Sequence, residues 1–322
     1  MKVAVIGLGG IAERVYLPML ASWEGVELIL SSRREESVWR YQRLYQAAKG
    51  SSDLEEVIGM RPQAAIVLTP METHAGILRS LLEAGIDTYV EKPATLKAEE
   101  TRSLAALADR AGRIFMTGFN RRFAPLHVRA RQLLEDRPPS LAVFTKHRTQ
   151  PTSPELFHQL IDDTIHQIDL VRFFCGEGEP LACDGYTREG RMAGLSMTIR
   201  LASGGLALIE SSLEAGAWKE SNQLHGAGQS LYLEAFEQLQ RATSQGVQTW
   251  KEGYASSYES TQEGRGFSGA VAHFFQCVES RAQPQTNGWE AAKTQALVEE
   301  IYKVYQPHVM PEDEPPSRGQ AG

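Results

Sequence analysis

The chain has 322 residues, 42% hydrophobic and 23% charged, with a formal net charge of -7. That length accommodates two domains with separate cores, and an acidic balance without a long basic run argues against a nucleic-acid partner. Three cysteines without a CxxC pair (Cys175, Cys183, Cys277) argue against a disulfide framework and against any metal site of the zinc type.

Residues 2–6 (KVAVI) form an apolar run stopped by glycine, the pattern of a strand buried on both faces. A helix over 11–22, a strand over 26–31 and a polar helix over 35–48 follow. A short capped helix starts near Ser52-Asp53. Then come a strand at 64–69, a helix at 73–84, a strand at 87–90, a helix at 97–111 and a strand at 113–117. Strand–helix alternation with short loops predicts a parallel sheet with right-handed crossovers, a Rossmann domain over 1–118. With the first strand at Lys2 there is no room for a signal peptide, and no apolar run approaches the roughly 20 residues of a membrane span. A cytoplasmic protein is expected.

After 118 the rhythm changes. A helix over 124–134, a strand over 141–149 and a long helix near 155–174 precede strand-like runs at 181–188, 194–202 and 205–213. The last two are joined by Ala202-Ser203-Gly204-Gly205, a hairpin signal. Further strands are expected at 221–225 and 229–234, and helices at 267–280 and 288–305. This predicts an α+β domain over 119–306, built on a mostly antiparallel open sheet. The Pro-, Glu-, Gly- and Ser-rich stretch 307–322 reads as a disordered tail.

Gly7-Leu8-Gly9-Gly10-Ile11-Ala12 fits G-x-G-x-x-G/A directly after a strand and at the opening of a helix. Gly7 permits the tight turn, Gly9 lets the backbone approach a pyrophosphate, and Ala12 allows close packing of helix on sheet. Gly10 and Ile11 belong to the helix N-terminus, whose unpaired N–H groups face the phosphates. At the end of the second strand a carboxylate would read the ribose 2′-hydroxyl of NAD. Here Ser31-Ser32-Arg33-Arg34 offers hydroxyls and guanidinium groups, which suit the 2′-phosphate of NADP. NADP is the first choice and NAD the second.

Glu91-Lys92-Pro93 follows the strand at 87–90, at the carboxyl edge where such sheets bind ligands. In the long helix of the second half, Asp162 and His166 are spaced i, i+4, with Asp169 continuing the row beside an apolar stripe of Ile161, Ile165 and Ile168. A carboxylate there is positioned to orient and tune an imidazole.

These motifs together resemble the glucose–fructose oxidoreductase / inositol dehydrogenase / rhizopine catabolism (Gfo/Idh/MocA) family. GLGGIA, Thr69-Pro70 to His74, Glu91-Lys92-Pro93, Gly118 to Phe123 and the Asp162/His166/Asp169 set occur in the family's order over roughly residues 1–305. The resemblance implies reversible oxidation of a hydroxyl to a carbonyl, usually on a sugar, cyclitol or related polyol. It makes Lys92 the catalytic lysine and matches Asp162 and His166 to the family's acid and histidine. It sets Thr69, Pro70, His74 and Glu91 on the cofactor side of the cleft, with the peptide before Pro93 often cis. It also implies a homodimer or homotetramer through the C-terminal sheet.

The chemistry fits these residue types: His166 as a base with a pKa near neutrality, Lys92 stabilising charge on the oxygen, and Asp162 holding the imidazole and substrate. Asn120, Arg122 and Asp169 are candidate substrate contacts, although Arg121 and Arg122 also suit a structural pairing across the domain junction. The family's glycine pair before the aspartate reads Phe157-His158 here, which predicts a narrowed or reshaped substrate site. A dinucleotide-binding sensor and a redox-assisted glycoside hydrolase are the competing readings.

Overall fold

The computed structural model describes residues 1–135, 137–153, 155–251 and 261–309. The first sheet contains β1 (Lys2–Ile6), β2 (Glu27–Ser31), β3 (Lys49–Ser51), β4 (Ala64–Val67), β5 (Asp87–Glu91) and β6 (Phe115–Gly118), in the order β3-β2-β1-β4-β5-β6. All five pairings are parallel. Its central strands are apolar throughout because helices cover both faces, and Val3, Ala4, Val5, Ala64, Ala65, Ile66 and Val67 are fully buried. The strand order reverses between β1 and β4. There the chain leaving β1 (Gly7 N–H to the Ser31 carbonyl, 2.9 Å) lies beside the chain leaving β4 (Leu68 N–H to the Ile6 carbonyl, 2.7 Å). That reversal opens the crevice in which such sheets bind ligands.

The second sheet has nine strands among the described residues: β7 (Leu141–His147), β8 (Gly178–Arg188), β9 (Arg191–Leu201), β10 (Leu206–Ser212), β11 (Lys219–Gly226), β12 (Gln229–Glu234), β13 (Gln238–Thr243), β14 (Gly246–Lys251) and β15 (Tyr305–Val309). Its order is β14-β13-β12-β11-β7-β10-β9-β8-β15, antiparallel except for the β7/β10 and β8/β15 pairs. Alternate residues of β7 and β10, Ala142, Phe144, Ala207 and Ile209, face the helix Ile165–Cys175 and meet its Ile165, Ile168 and Phe174 in one apolar cluster. The Phe144 and Phe174 rings stack at 6.3 Å.

Four strands, β3, β13, β14 and β15, were not expected, and the long helix of the second half is not uniform. It opens as Leu156–His158, widens to i→i+5 spacing over Gln159–Thr164 and returns to α geometry at Ile165. The tail predicted from Pro307 begins too early. Pro307 lies in β15, an edge strand, where its missing N–H costs no ladder bond. Residues 310–322 lie outside the described residues.

The closing helices return to the first sheet. Ala270, Val271, Phe274 and Phe275 of Phe267–Ser280 join the cluster of Tyr16, Tyr89 and Met116. Helix Gly288–Lys303 packs on Ala98–Ala111, where the Glu299 carboxylate accepts the Ala98 N–H (2.8 Å) and Gln295 accepts from Thr101 (2.7 Å). No helix among the described residues is long and apolar enough to cross a membrane.

Candidate active site

Gly7 sits at φ +100°, and a Cβ there would lie 2.7 Å from the Leu68 carbonyl carbon, so no other residue fits the turn. A Cβ on Gly9 would meet nothing within 4 Å, which leaves the backbone open to an approaching group. Ala12 is fully buried beneath the helix, and Gly10 is exposed at its first turn.

Two cavities meet along this edge. One, of about 520 Å³, is lined by Gly7, Gly9, Ser32, Arg33, Arg34, Ser37, Thr69 and Pro70, among others. Neither Arg33 nor Arg34 has a side-chain partner among the described residues, while the Ser32 hydroxyl accepts the Arg34 N–H at 3.3 Å. The second cavity, of about 510 Å³, shares Leu68, Thr69 and Pro70 with the first and continues past Ile11, His74, Glu91, Lys92, Asn120, Arg121, Asp162 and His166. The stretch Leu68–Pro70 is therefore the common wall of a groove long enough for two connected groups. Open main chain at Gly9, a pair of unpartnered guanidinium groups at one end and a polar chamber at the other suit a dinucleotide.

The wall is braced from behind. His74 is buried, with Nδ1 2.8 Å from the Pro93 carbonyl oxygen and Nε2 2.9 Å from the Thr69 carbonyl oxygen, so it ties two loops together. Burial lowers its pKa although both carbonyls favour the charged ring. The Lys92–Pro93 peptide is cis. Glu91 receives the Tyr16 hydroxyl and, at 3.1 Å, the Lys92 N–H, so its carboxylate anchors the loop. Burial pushes the Glu91 pKa up.

Lys92 reaches from the first domain to the second. Its ammonium donates to the Asp162 carboxylate at 2.8 Å and to the Asp162 main-chain carbonyl. Asp162 thus pairs with Lys92 and not, as the spacing predicted, with His166, which has no hydrogen bond among the described residues. The reason is electrostatic. Burial, together with the Arg121, Lys146, Lys92 and Arg148 cations, holds the His166 pKa well below the usual imidazole range rather than near neutrality. A neutral ring offers the carboxylate much less than an ammonium does.

Arg122 and Asp169, expected as substrate contacts, close on each other. The guanidinium donates twice to the carboxylate (2.8 and 2.6 Å), Thr294 adds a third bond at 3.0 Å, and neither residue lines the cavity. Two buried opposite charges satisfy each other more completely than a transient ligand would. Asn120 does line the cavity, with its amide donating to the Arg265 carbonyl at 2.8 Å. Phe157 and His158 do not narrow the site. The Phe157 ring rests edge-on against Tyr302 at 5.5 Å, and His158 pairs with Glu155 at 3.0 Å.

Sequence reasoning missed the charges behind His166. Lys146 and Glu220 lie on the inward face of β7 and β11, and Lys146 binds Asp163 at 2.6 Å while Arg121 forks onto Glu220. Burial is the largest influence on each. It takes Lys146 down to about 8, whereas the neighbouring cations overcome it at Asp163 and Glu220 and hold both at about 2. The signal was the period-2 row Ala142-Phe144-Lys146, which puts an ammonium on an otherwise apolar face. Arg265 and Phe236 of the cavity wall carried no motif.

A family model described as an oxidoreductase family with an NAD-binding Rossmann fold matches residues 1–119. The Salmonella typhimurium protein YceM, described as an oxidoreductase, is 28% identical over 313 residues, covering 94% of this chain and 97% of that one. Inositol 2-dehydrogenase of Rhizobium meliloti is 28% identical over 181 residues, 51% of this chain and 54% of that one. The crystal structure of the dehydrogenase MviM from Clostridium difficile superposes with a TM-score of 0.85 over 94% of this chain and 99% of that one, at 23% identity.

Proposed function

We propose, for a chain that belongs to the Gfo/Idh/MocA family of NAD-binding oxidoreductases, the reversible oxidation of a hydroxyl to a carbonyl on a sugar, cyclitol or similar polyol, with NADP preferred over NAD. The observation that carries this reading is the meeting of Lys92, Asp162 and His166 on one cavity whose Thr69–Pro70 wall runs on into the Ser32/Arg33/Arg34 pocket.

When bound, the nicotinamide supplies the acceptor, or donor, of the hydride exchanged with the substrate carbon. Gly7, Gly9 and the helix N-terminus hold the pyrophosphate, and Ser32, Arg33 and Arg34 take the 2′-phosphate by charge-assisted hydrogen bonds. The Lys92 ammonium, aligned by Asp162, stabilises negative charge on the reacting oxygen. His166, kept neutral by burial and by the cations around it, has a ring nitrogen open to accept the hydroxyl proton. The exposed Leu141 and Leu206, register partners on β7 and β10, support association of copies through the outer face of the second sheet.

Fluorescence titration with NADPH and NADH, followed by a polyol and keto-sugar panel with the tighter cofactor, tests the assignment. NADPH is expected to bind more tightly, with cofactor consumed in step with substrate. Tighter NADH binding refutes the 2′-phosphate reading. Cofactor binding with no turnover across the panel leaves the sensor.

A further inference from the structure

Apart from the exposed Glu72, the charged groups of the second cavity other than Arg265 are committed. Lys92 is held by Asp162, Arg121 forks onto Glu220 behind the lining, and Glu91 is held by Tyr16 and the Lys92 N–H. Arg265 differs. It is half-buried and lines the cavity, and its guanidinium has no hydrogen-bond or carboxylate partner among the described residues.

Its position is nevertheless fixed. The guanidinium carbon lies 5.0 Å from the centre of the Trp218 ring and 5.4 Å from that of Phe236, so aromatic faces hold the group. The main chain is pinned as well. The Arg265 carbonyl accepts from the buried Asn120 amide at 2.8 Å, and Gly266, at φ +81°, is packed so closely on Asn120 and Ala124 that a Cβ has no room. Burial and the neighbouring Arg121 both disfavour the Arg265 charge, which Glu220 offsets only in part. A planar fork of donors, preorganised on aromatic rings and left without an anion, has the chemistry of oxyanion recognition.

We propose that Arg265 forms an oxyanion subsite of this cavity and that the polyol or sugar oxidised there carries a carboxylate or a phosphate. The inference rests on the dehydrogenase reading and narrows its substrate class. The anionic group binds in two parallel N–H···O contacts, which orients the ring relative to Lys92 and His166.

The test compares D-glucose and D-galactose, each beside its 6-uronate and its 6-phosphate, by cofactor-coupled turnover with the wild-type chain, Arg265→Gln and Arg265→Lys. For at least one anionic form, kcat/KM is expected to exceed that of its neutral parent by at least roughly tenfold, the usual scale for a hydrogen bond to a charged group. Arg265→Gln brings the ratio towards one, and Arg265→Lys, which keeps the charge but not the fork, retains part of it. The uronate and phosphate arms tell a sugar acid from a sugar phosphate. A wild-type ratio near one, or a ratio that survives Arg265→Gln, overturns the subsite while leaving the dehydrogenase standing. No cofactor-coupled turnover of any of the six compounds overturns the substrate class named here, and the wider polyol panel then decides the dehydrogenase reading separately.

Discussion

The Lys92 ammonium is gripped twice by one residue, through the Asp162 carboxylate at 2.8 Å and through the Asp162 main-chain carbonyl. Because the second grip survives loss of the side chain, the two residues are not equivalent in function. Lys92→Met is expected to lower kcat by at least ~100-fold, with NADPH affinity little changed. Asp162→Ala should cost only about tenfold, since the carbonyl still directs the ammonium. An Asp162→Ala loss as deep as that of Lys92→Met in steady-state kinetics would assign the carboxylate a direct part in proton transfer.

Arg33 and Arg34 line the cavity beside Gly7 and Gly9 with no side-chain partner among the described residues. Replacing both by alanine should weaken NADPH binding by roughly 10- to 100-fold and leave NADH binding within a factor of about three, on the scale of charge-assisted bonds to a phosphate. Fluorescence titration reads both. Equal losses for the two nucleotides would mean that the arginines act on a part the cofactors share.

The Arg122–Asp169 pair predicts a fault of stability and not of chemistry, because its side chains are 8% and 1% exposed and saturate each other. Asp169→Ala leaves a buried guanidinium uncompensated and should destabilise the fold by about 3–5 kcal/mol in urea melts. The double replacement Arg122→Met with Asp169→Leu should recover most of that loss. Substrate KM in the folded protein is expected to stay within about twofold of wild type. A selective rise in KM would return the pair to the substrate site.

Acid should loosen this protein before the Asp163 and Glu220 carboxylates, held at about 2 against burial by their neighbouring cations, titrate. Burial lowers the His127 pKa from 6.5 to about 4, with His74 and His166 lowered too. The His127 Nδ1 faces the Arg121 carbonyl oxygen and its Nε2 the Asn222 amide, a pattern that a neutral ring satisfies. The unfolded chain takes up protons near pH 6.5 that the folded chain refuses until about pH 4, so stability falls as the pH drops through that window. His127 alone accounts for roughly 3 kcal/mol. Urea midpoints at pH 7, 6 and 5 should decline, and His127→Gln should flatten the slope. A midpoint independent of pH in this range would show that these rings are not held neutral.

The parallel sheet and its Gly7 turn were legible because strands buried on both faces leave unbroken apolar runs, and because a positive φ against neighbouring backbone admits only glycine. Strands β13 and β14 were not. Gln240 and Arg241 are half-buried polar residues and Val247 and Gln248 are exposed, so no apolar–polar alternation separates an inner from an outer face. Lys92, Asp162 and His166 were legible as residues but not as a geometry. Spacing along one helix paired Asp162 with His166, whereas the ammonium that captures Asp162 comes from 70 positions away, and the burial and the Arg121, Lys146, Lys92 and Arg148 cations that keep His166 neutral are assembled from distant stretches of the chain. Arg265 left no trace in the sequence, because a guanidinium between two aromatic rings is assembled by folding and not by spacing.

Helix Phe267–Ser280 comes last but one in the chain and yet seals the first sheet, with Phe274 on Tyr89 at 5.7 Å and Phe275 on Trp23 at 5.2 Å. Severing the polypeptide after Gly118 would strip those rings away and lay a greasy flank bare to water. The amino-terminal half is therefore no detachable cassette. Any shuffling that swapped it between relatives would have to carry its distant clasp along.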